Sequence, residues 1–130
     1  MSNPLLLDIV TYLKTQGIVM GDGEDAFRDF SPESPDNVVV LFEYTGDPAI
    51  YYDPIVNRSV QITVRNISAN IARQKALDIF KSLVSDNAKI QFTDVRWGLV
   101  FLRQHPFRIG TDANNRSIYG FNIGVTTTID

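Results

Sequence analysis

The chain has 130 residues, with 12 Lys and Arg against 15 Asp and Glu, one His, no Cys and 44% apolar residues, for a net charge of -3. This describes a globular domain, read as one unit over 1–130, able to bury about two thirds of its unfolded surface without a disulfide or a structural metal. The missing cysteines exclude disulfide frameworks, thiolate zinc sites and cysteine nucleophiles, and the lone His105 excludes a multi-histidine metal site.

Asn3 followed by Pro4 reads as an N-cap and first helical residue, and Leu6, Ile9, Val10 and Leu13 recur at helical spacing until Gly17, which predicts an amphipathic helix over 4–16. Residues 18–35 are acidic and broken by Gly21, Gly23, Pro32 and Pro35. Ala26, Phe27 and Phe30 support at most one helical turn or a strand end there. Val38–Tyr44 (VVVLFEY) is a continuous β-branched and apolar run, the pattern of a strand buried on both faces. A stretch of about 14 residues, Thr45–Arg58, then reads as a loop longer than most connections in a compact domain.

Ser59–Arg65 alternates, with Val60, Ile62 and Val64 on one face, as a half-buried strand requires. Ser68 is placed to cap a second helix ending near Ser85, with Ala72, Ala76, Ile79, Phe80 and Leu83 on its apolar stripe. Three further strands are expected at Ile90–Thr93, Gly98–Arg103 and Ser117–Thr127. In the last, Tyr119, Phe121, Ile123 and Val125 share one face, and Gly120, Asn122 and Gly124 leave the other nearly bare for something to approach closely. The order predicts an α+β fold, a mixed or antiparallel β-sheet with two amphipathic helices packed on one face.

Chemistry is scarce in this pattern. RQHPFRIG, around His105, reads as a strand end and turn, and no strained nucleophile elbow or phosphate-binding glycine loop occurs. DGEDAFRD lacks calcium-loop spacing and reads as a solvated acidic loop, and Asp112, Asn114 and Asn115 read as turn residues bonded to their own backbone. In VRWGLVFLRQHPFR the rings of Trp97, Phe101 and Phe107 alternate with Arg96, Arg103 and Arg108, read as core aromatics with arginines at strand edges. No enzyme and no cofactor is expected. No apolar run approaches the roughly 18 residues of a membrane span, and the start lacks a secretory pattern, so no membrane partner and synthesis in the cytosol are expected.

Charge is unevenly spread along the chain. Residues 1–57 hold two basic and ten acidic side chains, a net -8, and residues 58–130 hold ten basic and five acidic ones, a net +5. Three readings stay open: neutralisation within one subunit, contact between neighbouring subunits, or a basic half that meets nucleic acid.

PFRIGTDANNRSIYGFNIGV resembles the C-terminal pattern of small minor capsid and tail terminator proteins of long-tailed, non-contractile bacteriophages, through Pro106, Phe107, Gly110, Asp112, Arg116, Tyr119, Phe121 and Asn122. VQITVRNISANIARQKALDIFKSL is similar to the family's strand, Arg-containing corner and helix, so the likeness runs from about Leu5 to Thr127. Asn115 departs from the family's Asn-Gly turn, and Asn tolerates the same left-handed conformation. The resemblance implies a virion protein that forms a homohexameric ring on the tail tube, ends its polymerisation and joins the tail to the head connector, with DNA passing through. Its implied partners are further copies of itself, tail tube protein and a head connector or head completion protein. The candidate interface comprises Ile50, Tyr51, Tyr52, Ile55 and Val56 in the long loop, with Arg65, Arg108, Asp112 and Arg116. The competing function is a small nucleic-acid-binding module using the basic half.

Overall fold

The computed structural model describes residues 4–44, 55–84 and 89–128, with backbone alone at 55, 56 and 128. Helix α1 is Leu5–Thr15. Pro4 caps it, one residue inside the expected start, and Asn3 lies outside the described residues. Gly17, at φ +77°, ends the helix with the paired bonds Ile18 N to Leu13 O and Gly17 N to Lys14 O, each 3.0 Å, a turn only a residue free of Cβ strain forms readily. The short strand β1, Ala26–Arg28, follows, then β2 (Val38–Tyr44) and β3 (Ile55–Asn66). Helix α2, Ala69–Leu83, starts at Ser68, whose Oγ accepts from the Ile71 N–H. Strands β4 (Lys89–Thr93), β5 (Arg96–Thr111) and β6 (Ser117–Thr128) complete an α+β fold.

The six strands form one mixed sheet in the order β1-β2-β3-β6-β5-β4, antiparallel throughout except for the parallel pair of β1 and β2. Its inward side chains, among them Leu41, Val60, Ile62, Phe121, Ile123, Val125, Val100 and Phe92, share one core with Leu5, Ile9 and Leu13 of α1 and Ala72, Ala76, Ile79 and Leu83 of α2. α2 lies beneath β3, β6 and β5. α1 touches β4 at one end of the strand order and β1 and β2 at the other, so the sheet curls around it. Asp8 of α1 and Arg96 of β5, both at most 2% exposed, form an ion pair at 2.6 Å inside that core. Arg96 also donates to Thr127 Oγ1.

Four sequence readings change. Ile55–Arg58 are strand, paired with Thr128–Val125, so the connection after β2 is shorter than read; residues 45–54 lie outside the described residues. The second correction concerns RQHPFRIG, which continues β5 to Thr111 with register shifts at Leu102/Gln104, Gln104/Phe107 and Arg108/Gly110. β4 pairs only with Arg96–Leu99, so among the described residues the far edge of β5 has no ladder partner beyond Leu99, and Pro106 removes no needed donor. Third, Trp97, Phe101 and Phe107 are outside the core: Phe101 is 38% exposed on the outer face, and its ring occupies the space where a Cβ on Gly124 would stand. The bare face of β6 is thus approached by the chain's own β5, Ile109 standing similarly over Gly120. VVVLFEY is fully buried only from Val38 to Leu41, and Glu43 and Tyr44 emerge into solvent.

Candidate functional site

β3 and β6 run side by side, so the end of one and the start of the other bring Arg65 and Arg116 to the same corner of the sheet. Arg65 is 6% and Arg116 4% exposed. Both guanidinium groups turn toward the acidic segment between β1 and β2. Arg65 donates to Ser31 Oγ (3.1 Å) and to the carbonyls of Pro35 (2.7 Å), Asp36 (3.1 Å) and Glu33 (3.5 Å). Arg116 donates to the Glu33 carbonyl at 2.6 Å and the Asp36 carboxylate at 3.2 Å. A segment with little apolar side-chain mass is thereby fixed by charged donors, whose bonds are stronger than neutral ones.

Asp112 closes the β5–β6 turn and anchors Arg116. Its Oδ1 accepts from the Asn114 and Arg116 N–H groups and its Oδ2 from Arg116 Nε at 2.8 Å, with Asn115 at φ +61° as the turn requires. Backbone donation from Arg116, with the guanidinium bond beside it, holds the Asp112 carboxyl below the usual carboxylate range. For Arg116, burial opposes the charge, but hydrogen bonds and attraction from Asp112 and Asp36 prevail, and its pKa is raised. The Arg65 pKa is lowered by burial and then by the charge of Arg116. The cluster is a structural clamp. It offers no base beside a nucleophile.

Of the nine candidate interface residues, Arg65, Asp112 and Arg116 come together here, and Arg108 stands near them, exposed and bonded to Thr111 Oγ1. Ile55 and Val56 begin β3 at the opposite end of the sheet. Ile50, Tyr51 and Tyr52 lie outside the described residues. Sequence reasoning missed the buried Asp8–Arg96 pair, although an acid inside the apolar stripe of α1 was a visible signal. It also missed two exposed apolar residues, Met20 (68%) and Phe30 (58%), beside the acidic segment.

Among the described residues no three His, Cys, Asp or Glu side chains are placed to hold a metal ion, and no helix is long and apolar enough to cross a membrane. One cavity, lined by Asp25, Asn37, Val39, Val64, Arg65 and Lys75, measures about 30 Å³, room for a water molecule rather than a substrate, and the larger depressions, of about 350–450 Å³, are open surface grooves. A family model described as "Bacteriophage tail terminator protein" matches residues 12–129. No curated protein matches the chain.

Proposed function

The chain belongs to the bacteriophage tail terminator family, and from that premise we propose that it assembles as a ring, a hexamer, on the end of the tail tube, ends tube polymerisation and joins the tail to the head connector. It is a structural protein of the phage tail and part of the virion, and the family is not one of enzymes. The single observation that carries the reading is the extent of the match, which takes in all six strands, α2 and the clamp.

Ring formation in the host cytoplasm needs heterologous contacts, in which one surface meets a different surface of the next subunit. The charge division along the chain supplies complementary surfaces. Tail tube protein and a head connector or completion protein dock on the two rims, and DNA passes through the opening. The residues at 50–56 serve as the docking segment, and Arg65, Asp112 and Arg116 act by holding the rim segment 31–36 in shape, with Arg108 exposed beside them.

The nucleic-acid reading has less support than the sequence suggested. At least four of the ten basic residues of the second half are ion-paired or buried within the fold: Arg58 with Glu43, Arg65 and Arg116 in the clamp, and Arg96 with Asp8. The test is the mass distribution of the purified protein with and without tail tube protein. A closed oligomer capping tubes of defined length is the expected result. Binding to DNA that falls steeply with salt, without capping, favours the competing function.

A further inference from the structure

Resting on the ring reading, we infer that the contact between neighbouring subunits joins the β1 side of one sheet to the free β5 edge of the next. Folding places an acidic segment and a basic stretch of strand toward opposite ends of the strand order. On the β1 side, residues 20–30 hold four acids (Asp22, Glu24, Asp25, Asp29) against the single base Arg28, while Glu33 and Asp36 are taken up by Arg65 and Arg116 at the β3–β6 corner. On the opposite side, beyond the short β4, residues 98–111 hold Arg103 and Arg108 and no acid, with Lys89 alongside on β4.

Each side also exposes apolar surface of matching kind. The acidic side shows Met20 and Phe30, whose ring meets Phe27 edge-on at 5.7 Å. Next to the basic edge, the outer face of β5 shows Leu99 (41%), Phe101 (38%) and Ile109 (45%). Apolar centres rimmed by opposite charges are the composition of a specific protein contact, and the two surfaces differ, so their pairing is heterologous. The occupant of each side is therefore a second copy of this chain.

The backbone argues for side-chain docking rather than a continued sheet. The open part of β5 carries Pro106, three register shifts and two arginines, features that block strand addition, and β1 is only three residues long.

Charge reversal tests this in the full chain. One variant carries Asp22→Lys with Glu24→Lys, the other Arg103→Glu with Arg108→Glu. Each alone sets like charge against like charge and should weaken self-association about 100-fold or more. An equimolar mixture makes both kinds of contact complementary again and should restore assembly, read by analytical ultracentrifugation and electron microscopy. Melting curves establish that each variant is folded. If Arg103→Glu disturbs its stacking on Phe101, Lys89→Glu with Arg108→Glu makes the same reversal. Wild type that assembles while both variants also assemble, or a mixture that stays dispersed, overturns this inference alone. Wild type that stays monomeric even with tail tube protein overturns the ring reading, and this inference with it.

Discussion

Arg65, on β3, and Arg116, just before β6, both donate to one carbonyl oxygen, that of Glu33, at 3.5 and 2.6 Å. Two cations tolerate such closeness because Asp36 and Asp112 lie among them, and their shared target is an exposed acidic segment with almost no core of its own. Shape at this rim is thus set by side chains rooted in the centre of the sheet. Replacing Arg65 with Lys keeps the charge but loses the fork that reaches Ser31, Pro35 and Asp36 together. The expected outcome is faster hydrogen exchange confined to residues 31–37, with the global melting temperature little changed.

The β5–β6 turn responds to acid. A carboxyl whose pKa is lowered on folding contributes stability that is fully present above its unfolded value, about 3.9, and is lost as pH falls through the folded value. Asp112 is such a group. Titration followed by NMR should show its carboxyl protonating below the ordinary aspartate value of about 3.9, with the Asn114 and Arg116 amide signals moving in step. An ordinary midpoint for Asp112, with those amides indifferent, contradicts the clamp.

The buried ion pair gives a sharper stability test. Asp8 Oδ1 has no hydrogen-bond partner and Oδ2 bonds Arg96 at 2.6 Å, so removing either member leaves a charge or donor stranded in the core. Arg96→Met or Asp8→Leu alone should destabilise by about 3–5 kcal/mol, and the double replacement by much less, because an apolar pair of similar volume often substitutes for a buried ion pair without loss. Chemical denaturation of all four species closes the cycle.

Gly124 and Phe101 define a packing pair on the outer face. Gly124→Ala forces the ring off the sheet, at a cost of about 1 kcal/mol or more. In a Phe101→Ala background the same replacement should be nearly neutral.

For the proposed docking segment, Tyr51→Ser with Tyr52→Ser should leave the melting temperature close to wild type and weaken partner binding by at least about 2 kcal/mol, as the loss of two aromatic anchors does. In phage the expected phenotype is separated heads and tails, or tails of uncontrolled length. A large fall in monomer stability with normal virions places these tyrosines in the core.

Local pattern carried the elements whose signals are local. The helical spacing of Leu6, Ile9, Val10 and Leu13, the Ser68 cap and the alternation in β3 and β6 correspond to α1, α2 and the two central strands. What escaped depends on partners distant in sequence. Pro106 reads as an end of strand because a paired strand needs its N–H. Only the arrangement of β4, which stops at the level of Leu99, makes that N–H dispensable. The outward rings of β5 escaped for a related reason: which face of a strand is inside is fixed by its neighbours. Arg65 and Arg116 were visible as candidates, but their buried position and their common target on residues 31–36 required the β3–β6 pairing.

Strand β6 occupies the middle of the sheet although it follows every other strand in the chain. During synthesis β3 and β5 therefore both wait with an unpaired inner edge, and any fragment stopping before residue 117 is two half-sheets with their apolar faces incompletely covered. The two lateral surfaces thus belong to one sheet only once β6 has paired with both β3 and β5.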